Sequence, residues 1–199
     1  ERYAPYGKLA PSSKADFAFV QHMIHHMDEG DSRIAVLLPH GVLFRGAAEE
    51  TIRKYIIKDL NYLDAVIGLP ANCFQGTSIP VCCLVFKKER NGNSDNIFFI
   101  DASKEFVSGK AMNYITDEHI DKIVNAYTKR EDIDKYCHKA YMDEIEKNDY
   151  NLNIPRYVDT FEEEEPVDIA ANKQKLVELD AKEKAALDKI NAFLVELGL

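Results

Sequence analysis

The sequence predicts an α/β fold, a mainly parallel sheet carrying an antiparallel edge hairpin and followed by a helical tail. Three observations predict it. Short apolar runs alternate with stretches whose apolar residues recur at helical spacing, the pattern of an α/β chain. Two of those runs, 62–69 and 79–86, are separated by nine residues. A parallel crossover needs a dozen or more, so this pair should run antiparallel. Beyond an acidic run at 162–165, residues 172–197 form a long stretch of helical periodicity.

Each element has its own warrant. Residues 1–13 read as loop, with Ser12 or Ser13 placed to cap the first helix. Over 14–27, Phe17, Val20, Met23 or Ile24, and Met27 recur at helical spacing, and Gly30 ends that helix. Arg33–Pro39 is a continuous apolar run after its arginine and is expected to be buried on both faces of a parallel sheet. Residues 41–46 make a loop, and 47–58 a helix with Glu49 and Glu50 in its first turn, where the positive helix end favours carboxylates. After the antiparallel pair and a polar turn at 91–95 comes a short strand, Asn96–Asp101. Thr116 caps a helix running to 129, residues 133–146 read as a further helix, and 149–160 as extended and turn-like. These divisions place an α/β domain at 1–110, a helical and extended extension at 111–161, and a tail helix at 162–199. In the tail, Leu176, Leu179, Ala186, Ile190, Phe193 and Leu197 approximate a 3/4 spacing, broken at Glu183. One helix cannot bury such a stripe alone; it packs on its own domain or docks on a partner helix.

Composition removes several functions. A net charge of -9 and a pI near 5.2 argue against a protein that grips nucleic acid alone through a broad basic face. The four cysteines, Cys73, Cys82, Cys83 and Cys137, form no CxxC pair and read as buried, reduced thiols. No apolar stretch approaches the roughly 20 residues of a membrane span. The expected location is cytoplasmic.

His22, His25 and His26 could share a helix face as metal ligands do, but no suitable third ligand lies nearby in sequence, so no metal is expected. The carboxylate pairs Asp16/Asp28 and Glu49/Glu50 are ordinary in so charged a chain. No nucleophile elbow and no phosphate or dinucleotide loop occurs. The loop at 70–78 is the more informative feature. It breaks two apolar strands with Phe74, Gly76, Thr77 and Ser78, offering a planar ring to something outside. Phe19, near the start of the first helix, either packs in the core or faces the crevice at the carboxyl ends of the strands.

Taken together, the segments 6–11, 13–22, 38–46, 52–53, 77–80, 99–102, 150–153 and 156–157, with Leu69-Pro70-Ala71-Asn72-Cys73-Phe74 among them, form a specific ordered pattern over about the first 160 residues. This pattern resembles the modification subunit of type I restriction-modification systems, an adenine-N6 DNA methyltransferase. The resemblance implies the C-terminal half of a class I, Rossmann-like sheet, with S-adenosylmethionine as methyl donor and a flipped adenine as acceptor. It places Phe74 as the stacking surface for that adenine, Phe19 and Pro39 at the donor, and Arg45, Gly46, Gly76, Thr77 and Ser78 in loops at the DNA. It implies DNA, a DNA-specificity subunit bound through the C-terminal helix, and a restriction subunit as partners. The family's glycine-rich donor loop and its Asn-Pro-Pro-aromatic motif do not occur in these 199 residues. The expectation is therefore a C-terminal portion of a longer enzyme that does not methylate alone. A non-catalytic assembly module that binds the specificity subunit is the competing reading, and an unrelated α/β ligand-binding domain a third.

Overall fold

The computed structural model describes residues 2–161 and 168–197, and the chain divides into two compact units, 1–161 and 162–199. In the first, α1 (Asp16–His25), β1 (Arg33–Pro39), α2 (Ala47–Lys54), β2 (Leu63–Gly68), β3 (Val81–Lys87), β4 (Asn96–Asp101), α3 (Asp117–Lys129), β5 (Cys137–Tyr141) and α4 (Met142–Lys147) follow in order. The strands form one five-stranded sheet in the order β1-β3-β2-β4-β5. β2 and β3 pair antiparallel, as the short connection requires, whereas β2 and β4 are parallel.

The β2–β3 pair lies inside the sheet, because β1 flanks β3, and of the four strand pairings described only β2–β4 is parallel, in place of the edge hairpin on a mainly parallel sheet that the sequence predicts. Three further expectations need correction. β1 is not buried on both faces beside parallel neighbours: it is the outermost strand, antiparallel to β3, and its residues alternate between exposed and half-buried until Leu38. An unbroken apolar run signals a strand but does not name its neighbours, and β3 takes the place between β1 and β2. Residues 133–146 are not one helix. Cys137–Tyr141 is recruited as β5 along the free edge of β4, and only Met142–Lys147 is helical. The gain from completing the sheet overrides local helical spacing. Neither Ser12 nor Ser13 caps α1, whose N-cap is Ala15 without a side-chain bond. By contrast Thr116 does cap α3, in a reciprocal box with His119. The α2 helix continues beyond Lys54 as a wider π turn, Tyr55–Asp59, and short 3-10 turns occupy His40–Leu43 and Ile154–Arg156.

Both faces of the sheet are covered. Phe17, Val20 and Ile24 of α1, Ile52 of α2 and the segment through Leu152, Ile154 and Tyr157 pack on one face, where the Tyr157 ring stacks on Phe99 at 4.0 Å. Ile123 and Ala126 of α3 pack on the other, over Ala65, Ile67, Phe98 and Ile100. All four cysteines are free; Cys82 and Cys137 are buried, Cys73 and Cys83 half-buried.

His138 on β5 ties the sheet edge to its neighbours, with Nδ1 3.1 Å from Asp132 and Nε2 3.0 Å from Glu144. Partial burial opposes its protonation, but the hydrogen bond to Glu144 and the charges of both carboxylates outweigh it and raise the pKa above 6.5. A raised folded pKa contributes stability that is present below about 6.5 and is lost as pH rises through the folded value. The thermal midpoint of the native chain should therefore exceed that of a His138→Gln variant by more at pH 5.5 than at pH 8.5. An advantage that is the same at both pH values would refute this.

The second unit contains α5, Ile169–Glu196. The acidic run at 162–165 lies outside the described residues. Among the described residues no helix is long and apolar enough to cross a membrane.

Candidate functional site

The registers Pro39↔Val81, Gly68↔Cys82 and Gly68↔Asp101 bring the carboxyl ends of β1, β2 and β4 level at one edge of the sheet. The loops that leave this rim are 40–46, 69–80 and 102–116. The crevice beyond the carboxyl ends of strands is where open α/β sheets bind ligands, because loops can diverge there without breaking the sheet.

Arg53 organises the first loop. This buried side chain of α2 donates from Nη1 to the carbonyls of Val42 (3.1 Å) and Arg45 (2.9 Å), and from Nε to that of Tyr150 (2.9 Å). Burial lowers its pKa, and nearby carboxylates only partly offset that effect. Arg45 itself donates to Asp16 at 3.1 Å and Glu49 at 3.2 Å. Burial works against its charge, yet these two bonds outweigh it and raise the pKa. Gly41 leaves room for that guanidinium, since an added Cβ would lie 2.5 Å from it. The Arg45–Asp16 bond also brings the first turn of α1 to the loop. Phe17 then points into the core, while Phe19, one turn into the helix, is 64% exposed. Pro39 and Gly46 are exposed, as are Leu37 and Phe44.

The second loop is closed at its base by Leu69 N–H on the Val81 carbonyl at 2.9 Å. Within it, residues 74–77 form a tight turn: Thr77 N–H reaches the Phe74 carbonyl at 3.4 Å, and Gly76 has φ +83°, a conformation that suits glycine. Thr77 Oγ1 accepts from Ile79 N–H at 3.2 Å. Phe74 sits at the start of this turn and remains 39% exposed, as a ring offered outward must be. Gly76, Thr77 and Ser78 are also exposed.

The structure thus gathers the sequence-predicted residues at one rim in two groups. Pro39, Arg45 and Gly46 flank the first loop, to which the α1 turn carrying Phe19 is bonded, and Phe74 through Ser78 lie on the second. Sequence reading missed the role of Arg53. Its signals were the segment 52–53 within the ordered pattern and the i, i+4 spacing from Glu49 on α2, where both are buried. His22, His25 and His26 pack edge to face, and no metal-binding cluster of three or more His, Cys, Asp or Glu occurs among the described residues.

A mixed sheet with an antiparallel strand set between two mutually parallel ones, and aromatic loops at its carboxyl rim, defines an α/β protein of the class I methyltransferase fold. Comparison with known proteins agrees. Residues 1–166 match the N-6 DNA methylase family model, and the chain belongs to that family. It is 37% identical over 196 residues to the type I restriction enzyme MpnII methylase subunit of Mycoplasma pneumoniae, covering 98% of this chain and 36% of that protein. It is 36% identical to the type I restriction enzyme MjaVII methylase subunit of Methanocaldococcus jannaschii, covering 94% and 33% respectively. The crystal structure of a type I restriction-modification system methyltransferase subunit from Streptococcus thermophilus superposes with a TM-score of 0.76 at 57% identity, covering 79% of this chain and 33% of that one. The chain spans about a third of the length of each of these proteins.

Proposed function

We propose that this chain is part of the modification subunit of a type I restriction-modification system, and that it forms the wall on which the target base of an adenine-N6 DNA methyltransferase rests. The observation that carries this reading is the exposed Phe74 ring, held on a tight turn at the carboxyl rim of β2. An adenine flipped out of a duplex loses its stacking neighbours, and an outward aromatic ring replaces them. Thr77, Ser78 and Gly76 flank the ring without charge or bulk and let a base approach.

S-adenosylmethionine, when bound, supplies the methyl group. The exposed ring of Phe19 and the exposed Pro39 fit the apolar wall that a donor's adenine requires, and they would hold it beside the 40–46 loop. Arg45, fixed by Asp16 and Glu49, keeps that loop and Gly46 in shape next to the DNA. The acidic balance of the chain supports delegation of sequence recognition to a DNA-specificity partner, and the exposed apolar stripe of α5 supports docking on a helix of that partner.

The test is Phe74→Ala in the complete methyltransferase with its specificity partner. Loss of one base-stacking contact, about 1–3 kcal/mol, should lower turnover by roughly fivefold to 150-fold, whereas Phe74→Trp should retain it. Unchanged turnover together with unchanged binding of target DNA would refute the stacking role.

A further inference from the structure

Resting on that reading, we propose that Asn113 is a positioning residue, latching the Phe74 loop to a hairpin that rises from the third loop of the rim. Its side-chain Nδ2 donates to the Ala71 carbonyl at 2.8 Å, and its backbone N–H donates to the Asn72 carbonyl at 2.7 Å. One residue therefore holds two successive peptides, separated from the Phe74 ring only by Cys73. Asn72 occupies the left-handed region at φ +57°, so the chain reverses at the point that is gripped.

The hairpin that carries Asn113 is closed by its own backbone pair. Val107 and Tyr114 exchange both backbone hydrogen bonds, at 2.8 and 2.9 Å. Its tip closes so tightly at Gly109 that an added Cβ would lie 2.3 Å from the Tyr114 ring and 2.4 Å from the Met112 carbonyl. The segment it grips is different in kind. Residues 71–76 carry no charge and are exposed or half-buried, and such a loop samples many conformations unless something outside it removes them. A ring that must meet a flipped base works best when held in place beforehand, because ordering it during the encounter would be subtracted from binding.

Cys73 supplies a native reporter. Its thiol lies 3.7 Å from the same Ala71 carbonyl, is half-buried, and burial pushes its pKa up. Freeing the loop should expose it. In Asn113→Ala, alkylation of Cys73 by a maleimide, followed by peptide mass spectrometry of the full-length protein, should be about threefold to tenfold faster, the equivalent of one net hydrogen bond. Asn113→Asp keeps the size but turns a second acceptor towards the Ala71 carbonyl, and should accelerate Cys73 at least as much. Cys83, half-buried in β3, should keep its rate. An unchanged Cys73 rate would overturn the latch, and so would equal acceleration of Cys73 and Cys83, which would report general loosening.

The functional half is read in the complete methyltransferase, where Asn113→Ala should lower kcat while leaving the KM for S-adenosylmethionine unchanged. If Phe74→Ala impairs turnover but Asn113→Ala does not, the positioning role is wrong although the stacking reading stands. If Phe74→Ala is silent while Cys73 accelerates in Asn113→Ala, the stacking reading is wrong although the latch is real.

Discussion

Asp64→Ala should lower the stability of the chain by about 3–5 kcal/mol, the cost of leaving a buried charge without its partner. Asp64 is 1% exposed near the start of β2. The register slips there, with Leu63 opposite Phe86 and Ala65 opposite Val85. This bulge breaks the strand's alternation: Leu63 packs with α1 and α2, while Ala65, two residues on, packs under α3. It turns Asp64 to the α3 side, where the carboxylate accepts from Arg130 at 3.2 Å, Arg90 at 3.4 Å and the Tyr127 hydroxyl at 2.5 Å. Both guanidiniums also reach Asn96, on β4, and Arg90 reaches Asn61. Burial lowers the Arg90 pKa, and Asp64 is the main influence opposing it. Without the carboxylate, two buried cations would face each other with no counter-charge. Tyr127→Phe removes one hydrogen bond and leaves the ion pairs of Asp64 with Arg90, Arg130 and Lys87, so it should cost only about 1 kcal/mol. Urea unfolding of the two variants separates these outcomes, and a loss below about 1 kcal/mol in Asp64→Ala would show that the network is not what holds α3 to the sheet.

That network also marks the limit of what the sequence could disclose. The antiparallel pairing of β2 with β3 was legible because a nine-residue link sterically allows little else, and the α3 cap because Thr116 and His119 lie within one turn. Those are local constraints. Asp64 and Arg130 are 66 residues apart, and each alone reads as an ordinary surface charge. The misreadings of β1 and of residues 133–146 share a cause, since both depend on which strand lies alongside, a choice settled by the whole sheet rather than by the segment's own periodicity.

At the rim, the exposure of Phe74 was legible because turn-forming residues surround it, so its ring had no regular face on which to be buried. For Phe19 the spacing left core and crevice both open, and the structure puts Phe17 inside and Phe19 outside. Arg45 shows the opposite limitation. The resemblance put it in a loop at the DNA, and nothing in the sequence disclosed that Asp16, 29 residues earlier, accepts from its guanidinium. Asn113 could not have been found at all, because a polar residue in a polar loop carries no pattern, and its meaning lies in the carbonyls of Ala71 and Asn72, far earlier in the chain.

If α5 docks as proposed, replacing Leu187, Ile190 and Leu194 together by glutamate should abolish co-purification of the complete subunit with the proposed DNA-specificity partner. The three side chains fall at i, i+3 and i+7 of α5, on one face, and all are exposed together with Leu176, Leu179 and Phe193. A 28-residue helix with so many solvent-facing apolar groups has gained little of the burial that normally sustains a helix in water. Each such side chain is worth about 1.5–3 kcal/mol when fully buried. Losing three of them and inserting three charges would remove most of the roughly 12 kcal/mol that a nanomolar complex represents. Residues 1–161 contain the sheet and the whole rim, so their thermal unfolding should be unchanged. Retained co-purification would sink the proposed docking role, whereas its loss with unchanged unfolding of residues 1–161 would support α5 as the proposed point of attachment.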